Sequence, residues 1–196
     1  MSVTENCAFT VASTESIGGD DWTNPNNAKV VGGGTATTGA LDGFSNPFSD
    51  QLKLITPTWP TMTAFCTLIS LTLTIKRQAG TASKITDQNV RLIIGGVEVG
   101  IDMADPSTFY PTGLTDKTYN VLTLSGETPT CAQLVAADTG FLLVSAFSGI
   151  GGSSTVGVDV GYFTATFDPP AAGSDGTESN QEEGALPPER TECLAF

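Results

Sequence analysis

In residues 71–76 large apolar side chains alternate with threonines and a lysine (Leu-Thr-Leu-Thr-Ile-Lys), and 90–94 reads Val-Arg-Leu-Ile-Ile after a polar turn. A period of two sends Leu71, Leu73 and Ile75 to one face and the hydroxyls to the other, the pattern of a half-buried β-strand. Similar segments recur along the chain, separated by glycines and by Pro25, Pro47, Pro57, Pro60, Pro106, Pro111 and Pro129. Prolines placed between apolar runs interrupt strands rather than break them. About eight to ten strands with loop-like connections predict an all-β protein, a two-sheet antiparallel β-sandwich of jelly-roll type.

The 196 residues suit one sizeable domain with an appended arm. We read 1–168 as the sandwich, with 1–21 as an extended strand or arm at its start, and 169–196 as an acidic Pro/Gly-rich C-terminal arm. The net charge of −13 would repel a phosphate backbone, and Lys76-Arg77, the one adjacent basic pair, reads as a solvated strand end. Nucleic acid is therefore not expected as a partner. Neither is a membrane, since no apolar run approaches the ~20 residues of a spanning helix and the first residues lack a signal-peptide pattern.

Individual segments carry sharper expectations. Trp22, in the loop Trp-Thr-Asn-Pro-Asn-Asn, reads as an anchor into the core. Gly32-Gly33-Gly34 has no following lysine or helix pattern and reads as a surface loop. Gly95-Gly96 between two apolar runs predicts a tight hairpin. The segment 102–114 reads as a long loop, and 119–124 as a strand. One short helical turn is expected at 130–137, with Thr128 or Thr130 as cap and Gly140 as stop. Residues 141–147 are apolar on both faces, as in a strand covered twice or one facing a neighbouring subunit. Val156, Val158, Val160 and Tyr162 are in phase, after which the phase moves to Phe163, Ala165 and Phe167, implying a β-bulge or a change of sheet.

The chain has no histidine, which removes the commonest general base and transition-metal ligand. A glycosidase needs only two carboxylates, but Asp20, Asp21, Asp102, Asp105 and Asp159 are not paired by any spacing in sequence. Catalysis is not expected. Calcium at Asp20-Asp21 or at Asp102 with Asp105 lacks an EF-hand or repeat spacing, so no metal or other cofactor is assigned. Cys7, Cys66, Cys131 and Cys193 have neither zinc-knuckle nor CxxC spacing and read as reduced, buried thiols.

The succession WTNPNNA, QLKL, LTLTIKRQAG, NVRLIIGG, a tyrosine-bearing loop, DTGFLLVSAF and VGVDVGYFTATF resembles a β-sandwich domain of tailed-bacteriophage virion structural proteins, over roughly 22–167. The resemblance implies a non-enzymatic component of a virion: a capsid decoration or vertex protein, or a neck or tail component, assembled in the host cytoplasm. Its partners would be other virion proteins (major capsid, portal, neck or tail subunits), and it would be a homo-oligomer, by family analogy a trimer. The arm ends in Cys193, Leu194, Ala195 and Phe196 after an acidic spacer, which reads as an anchor that docks on an adjacent subunit through Cys193, Leu194 and Phe196. The alternative is a host-receptor or glycan-binding module of a tail or head fibre, using loop aromatics Trp22, Trp59, Phe109 and Tyr110.

Overall fold

The computed structural model describes residues 1–171. It is an all-β, two-sheet antiparallel sandwich. One sheet joins β1 (Val3–Asn6), β3 (Trp22–Thr23), β4 (Ala36–Thr38), β7 (Thr67–Ala79), β10 (Thr115–Asn120) and β13 (Val156–Asp168). Its path runs β10-β7-β13-β4-β3, with β1 also paired to β13. The other runs β2-β6-β11-β8-β9, built from β2 (Ala8–Glu15), β6 (Gln51–Thr58), β8 (Ile85–Ile94), β9 (Val97–Val99) and β11 (Gly140–Phe147). A separate small ribbon pairs β5 (Leu41–Asp42) with β12 (Ser153–Ser154). Successive long strands β6, β7, β8, β10, β11 and β13 cross between the sheets, which gives the jelly-roll-like order.

The alternation in 67–79 behaves as its period demands. Leu71, Leu73 and Ile75 are fully buried between the sheets. The same phase carries one step further than a solvated strand end allows, because Arg77 also points inward and is 2 % exposed. Its neighbour Lys76 faces outward, where it pairs with Asp159 at 3.2 Å.

Two bulges near Arg77 reset the inward phase, and a third irregularity falls between Thr166 and Phe167, toward the end of β13. In β8, Val90 and Leu92 face the core, Gln88 is exposed, and Asp87 is buried; the register with β11 shifts between Val144 and Ser145. In β13 the shift falls between Val158 and Val160, at Asp159, before the point where the apolar pattern changes phase. Beyond it Gly161, Phe163, Ala165 and Phe167 follow one another on the inner face. A Cβ on Gly161 would run into the Phe141 ring, so the absent side chain makes room for that ring.

The apolar centre is an edge-to-face cluster of Phe9, Phe141 and Phe163, with centroids 5.3–6.2 Å apart. β11 is covered on both sides within the chain itself: Phe141 and Leu143 join the main core, while Leu142 and Val144 pack with Ile93, Phe48 and Ile55 on the outer face. Its apolar character on two faces thus needs no neighbouring subunit.

The Gly95-Gly96 hairpin forms between β8 and β9, both glycines taking positive φ (61° and 77°). Trp22 is buried and donates from Nε1 to the Asp50 carbonyl at 2.8 Å. The helical turn is α2 (Cys131–Leu134), shorter than 130–137, with Thr130 as N-cap in a capping box with Gln133. A second turn, α1 (Val121–Leu124), replaces the last four residues of the strand expected at 119–124. The strand β10 stops at Asn120, whose side chain accepts from Thr123 N at 3.2 Å and caps the helix instead.

The cysteines depart from the expected reduced state. Cys66 and Cys131 form a disulfide, their Cα atoms 5.7 Å apart, which ties the loop after β6 to α2. Residues 65 apart in sequence gave no local signal of this pairing. Cys7 is a free thiol as expected; burial pushes it up to about 12. Cys193 lies outside the described residues, as do Leu194, Phe196 and most of the arm 169–196.

Candidate interaction surface

The loop aromatics do not come together as a ligand platform. Trp22 is buried, as above, and so is Tyr110, whose hydroxyl donates to Asp87 Oδ1 at 2.8 Å. Neither ring is open to a sugar, and both leave the candidate set. Trp59 is half-buried against the core and donates from Nε1 to the Leu134 carbonyl at 2.9 Å, bracing α2 beside the disulfide. Phe109 remains exposed.

Four of the five candidate carboxylates also have local employment. Asp102 accepts from the N–H groups of Val90 and Ala104 (2.8 and 2.9 Å). Asp105 binds Lys117 at 2.7 Å and the hydroxyls of Ser107 and Thr108; Lys117 first, then these hydroxyls, hold its carboxyl well below the usual range. Asp159 accepts from Gly32 N and pairs with Lys76, so the bulge residue fastens the glycine loop to the sheet. Asp21 is exposed, its carboxyl raised by a hydrogen bond with Asp50; Asp20 is held by its backbone, in a short bridge to Ser49, and its Oδ2 is buried with no hydrogen-bond partner among the described residues. Among the described residues no group of three or more His, Cys, Asp or Glu side chains is placed to hold a metal ion.

The chemistry that sequence reading missed lies inside the sandwich. Arg77 of β7 pairs with Asp87 of β8, and its Nη1 donates to the Tyr119 hydroxyl at 2.6 Å. That hydroxyl donates in turn to Asp87 Oδ2 at 2.7 Å. Tyr110 lies with its ring 3.9 Å beneath the guanidinium and exchanges a hydrogen bond with Ser145 of β11 at 2.9 Å. Burial opposes the Arg77 charge, but the two tyrosines and Asp87 more than offset it and hold the guanidinium protonated. Burial, then the Asp87 charge, pushes both tyrosine hydroxyls up, so they remain donors. Every member is satisfied by another, and four of the strands supply members; the cluster is a cross-sheet fastening. The inward phase of β7 was the one available signal for Arg77; nothing local marks Asp87, because the Gln88 bulge puts it there.

Outward, apolar side chains are concentrated on loops. Phe44 and Ile150 are 85 % and 97 % exposed, on adjacent loops, since Gly43 lies against Gly149 and the Phe147 ring. Asp42 stiffens the first of these loops by accepting from the N–H groups of Ser45 and Phe44 (both 2.7 Å), which hold its carboxyl down to about 2. Lys84 Nζ binds the carbonyls of Ile150 and Gly151 and steadies the second.

A separate groove of about 510 Å³ crosses the β13 edge. Its floor is Val160, Gly161 and Tyr162, its walls Asn6, Cys7 and Ala8 on one side and Lys29, Val30 and Val31 on the other. A 3₁₀ turn at Pro25–Lys29 sets the second wall, and Lys29 Nζ reaches the Thr10 carbonyl at 2.8 Å. No protein-family model matches the chain, and no curated protein is significantly similar to it.

Proposed function

We propose that this protein is a non-enzymatic structural subunit of a bacteriophage virion, a capsid decoration or vertex protein or a component of the neck or tail. It holds neighbouring virion subunits through the loops of its sandwich and through the arm 169–196. The observation that carries this reading is a sandwich whose core is closed by its own side chains, while Phe44 and Ile150 stand exposed on two braced, adjacent loops. Apolar side chains held rigidly in water favour a protein partner. The Cys66–Cys131 disulfide is in keeping with a particle that works outside a reducing cell interior. The sequence resemblance supplies the kind of particle.

Deletion of 169–196 tests the reading: the truncated protein keeps its fold, by circular dichroism, and is missing from particles assembled in its presence. Incorporation at the full-length level would sink the anchoring role of the arm. The exposed Phe109 favours a second reading, a host-glycan or receptor module. Glycan-array binding that disappears in Phe109→Ala, with the fold intact, would select it.

A further inference from the structure

We infer that the groove on the β13 edge is the docking site for the end of the protein's own arm, with Leu194, Ala195 and Phe196 lying along Val160, Gly161 and Tyr162. This goes beyond the reading of the arm as an anchor: it assigns the place that the arm's end takes in the free protein, from which a neighbouring subunit would have to draw it.

The groove exists because β13 is incompletely paired along one edge. β7 bonds the other edge along its length, whereas here β1 takes Thr164–Phe167 through Val3–Asn6 and β4 takes only Gly157 and Val158. Cys7 N extends the first ladder by one bond, to the Phe163 carbonyl at 2.9 Å. Among the described residues no strand pairs with 160–162 on this side. A short open edge between two ladders is a place for an extended peptide to add main-chain hydrogen bonds, with side-chain selection by the walls. Beside Asn6 and Lys29, those walls offer apolar surface at Ala8, Val30 and Val31, the last two 58 % and 68 % exposed.

The charge at the rim fits the same occupant. Lys29 binds only a carbonyl there and forms no ion pair among the described residues. The segment before the apolar end carries Glu189 and Glu192 with Arg190 between them, a net negative charge. An acidic residue next to an apolar triplet matches a cation next to an apolar trough.

Chain length selects the protein's own arm over that of a second copy. From the end of β13 at Asp168 back to 160–162 is six to eight residues of strand, about 20–26 Å. A coil of roughly 25 residues, the number between Asp168 and the anchor, has a root-mean-square span of about 25–30 Å. A tether whose average reach equals the distance to be covered gives the highest effective concentration, so the intramolecular contact outcompetes a partner's arm at ordinary protein concentrations.

The test is disulfide trapping in the full-length chain. Val31→Cys puts a thiol on the groove rim opposite the native Cys193; Val97→Cys, on β9 at the far edge of the other sheet, is the control. Under mild oxidation the Val31→Cys protein should form an intramolecular 31–193 bond at least about tenfold faster than the control forms its bond to Cys193, read by peptide mapping of the monomeric species. Adding Phe196→Asp should bring the rate down to the control value. Equal rates in rim and control variants, or a rim rate untouched by Phe196→Asp, overturn the groove as receptor. A disulfide-linked dimer as the main product overturns the choice of the protein's own arm. The outcome is separable from the virion reading: loss of the truncated protein from particles together with failed trapping would leave the anchor standing and remove only the groove.

Discussion

The interior of this sandwich changes character over four residues. At Leu73 of β7 and Phe141 of β11 the space between the sheets holds the Phe9–Phe141–Phe163 cluster; at Arg77 and Ser145 of the same strands it holds the Arg77–Asp87–Tyr110–Tyr119 network. The aromatic half gains its stability from burial and edge-to-face contact, both tolerant of small displacement. The ionic half gains little net stability, since desolvating a charge pair costs about as much as its attraction returns. What it adds is registration. Arg77 meets Asp87 only if β8 carries its bulge at Gln88, and a one-residue slip would bury an unpaired charge. The bulges in β8 and β13 both lie beside this half, where the sheets must be held at one register.

The contrast can be broken most forcefully at Asp87. Asp87→Ala leaves the buried Arg77 without a counter-charge and should cost about 3–5 kcal/mol in urea unfolding. Adding Arg77→Met to that variant should recover more than half of the loss, because the orphaned charge is the cause; strictly additive losses would show that the ion pair is not what sets the cost. Reduction of Cys66–Cys131 acts outside both halves and should cost about 2–4 kcal/mol, seen as a lower urea midpoint in reductant. In the aromatic half, Gly161→Ala presses a methyl against Phe141 and should cost about 1–3 kcal/mol by overpacking, with far-ultraviolet dichroism unchanged.

The smallest effect sharpens the comparison at the surface. The folded-state pKa of Asp42 lies below the value near 3.9 of an unfolded aspartate, so its contribution is complete above that value and is lost as the pH falls toward about 2. Asp105 acts in the same direction. Unfolding midpoints measured from pH 5 down to pH 2 should fall, and Asp42→Asn should flatten part of that slope. The buried network acts in the opposite direction: burial holds its tyrosines above the value near 10 of an unfolded tyrosine, so their contribution is complete below about pH 10 and is lost as the pH rises beyond it.

Much of the fold was legible because it depends on neighbours in sequence. The alternation around Leu73, the Gly95-Gly96 turn and the Thr130 cap each act within a few residues, and each appears where it was expected. The Val121–Leu124 turn was read as strand because Val and Leu suit either state, and Asn120 decided between them by capping. The site was far less legible. Trp22 was legible as a core anchor, though not its bond to the Asp50 carbonyl, whereas Tyr110 looks like an exposed loop aromatic until the polar partners that bury it are known. The groove could not be read at all, since its three sides come from residues 6–8, 29–31 and 160–162.

Local patterning was enough to specify the all-β fold class, because a period of two and turn residues act over a few neighbours and leave strands with apolar faces to bury. Tertiary structure alone decided which charge went inside, which cysteines joined and which edge stayed open. The buried charge and the open edge depend on where two distant strands slip by one residue or stop pairing, and the disulfide on the fold bringing the loop after β6 against α2; all three are set by the packing of the two sheets against each other.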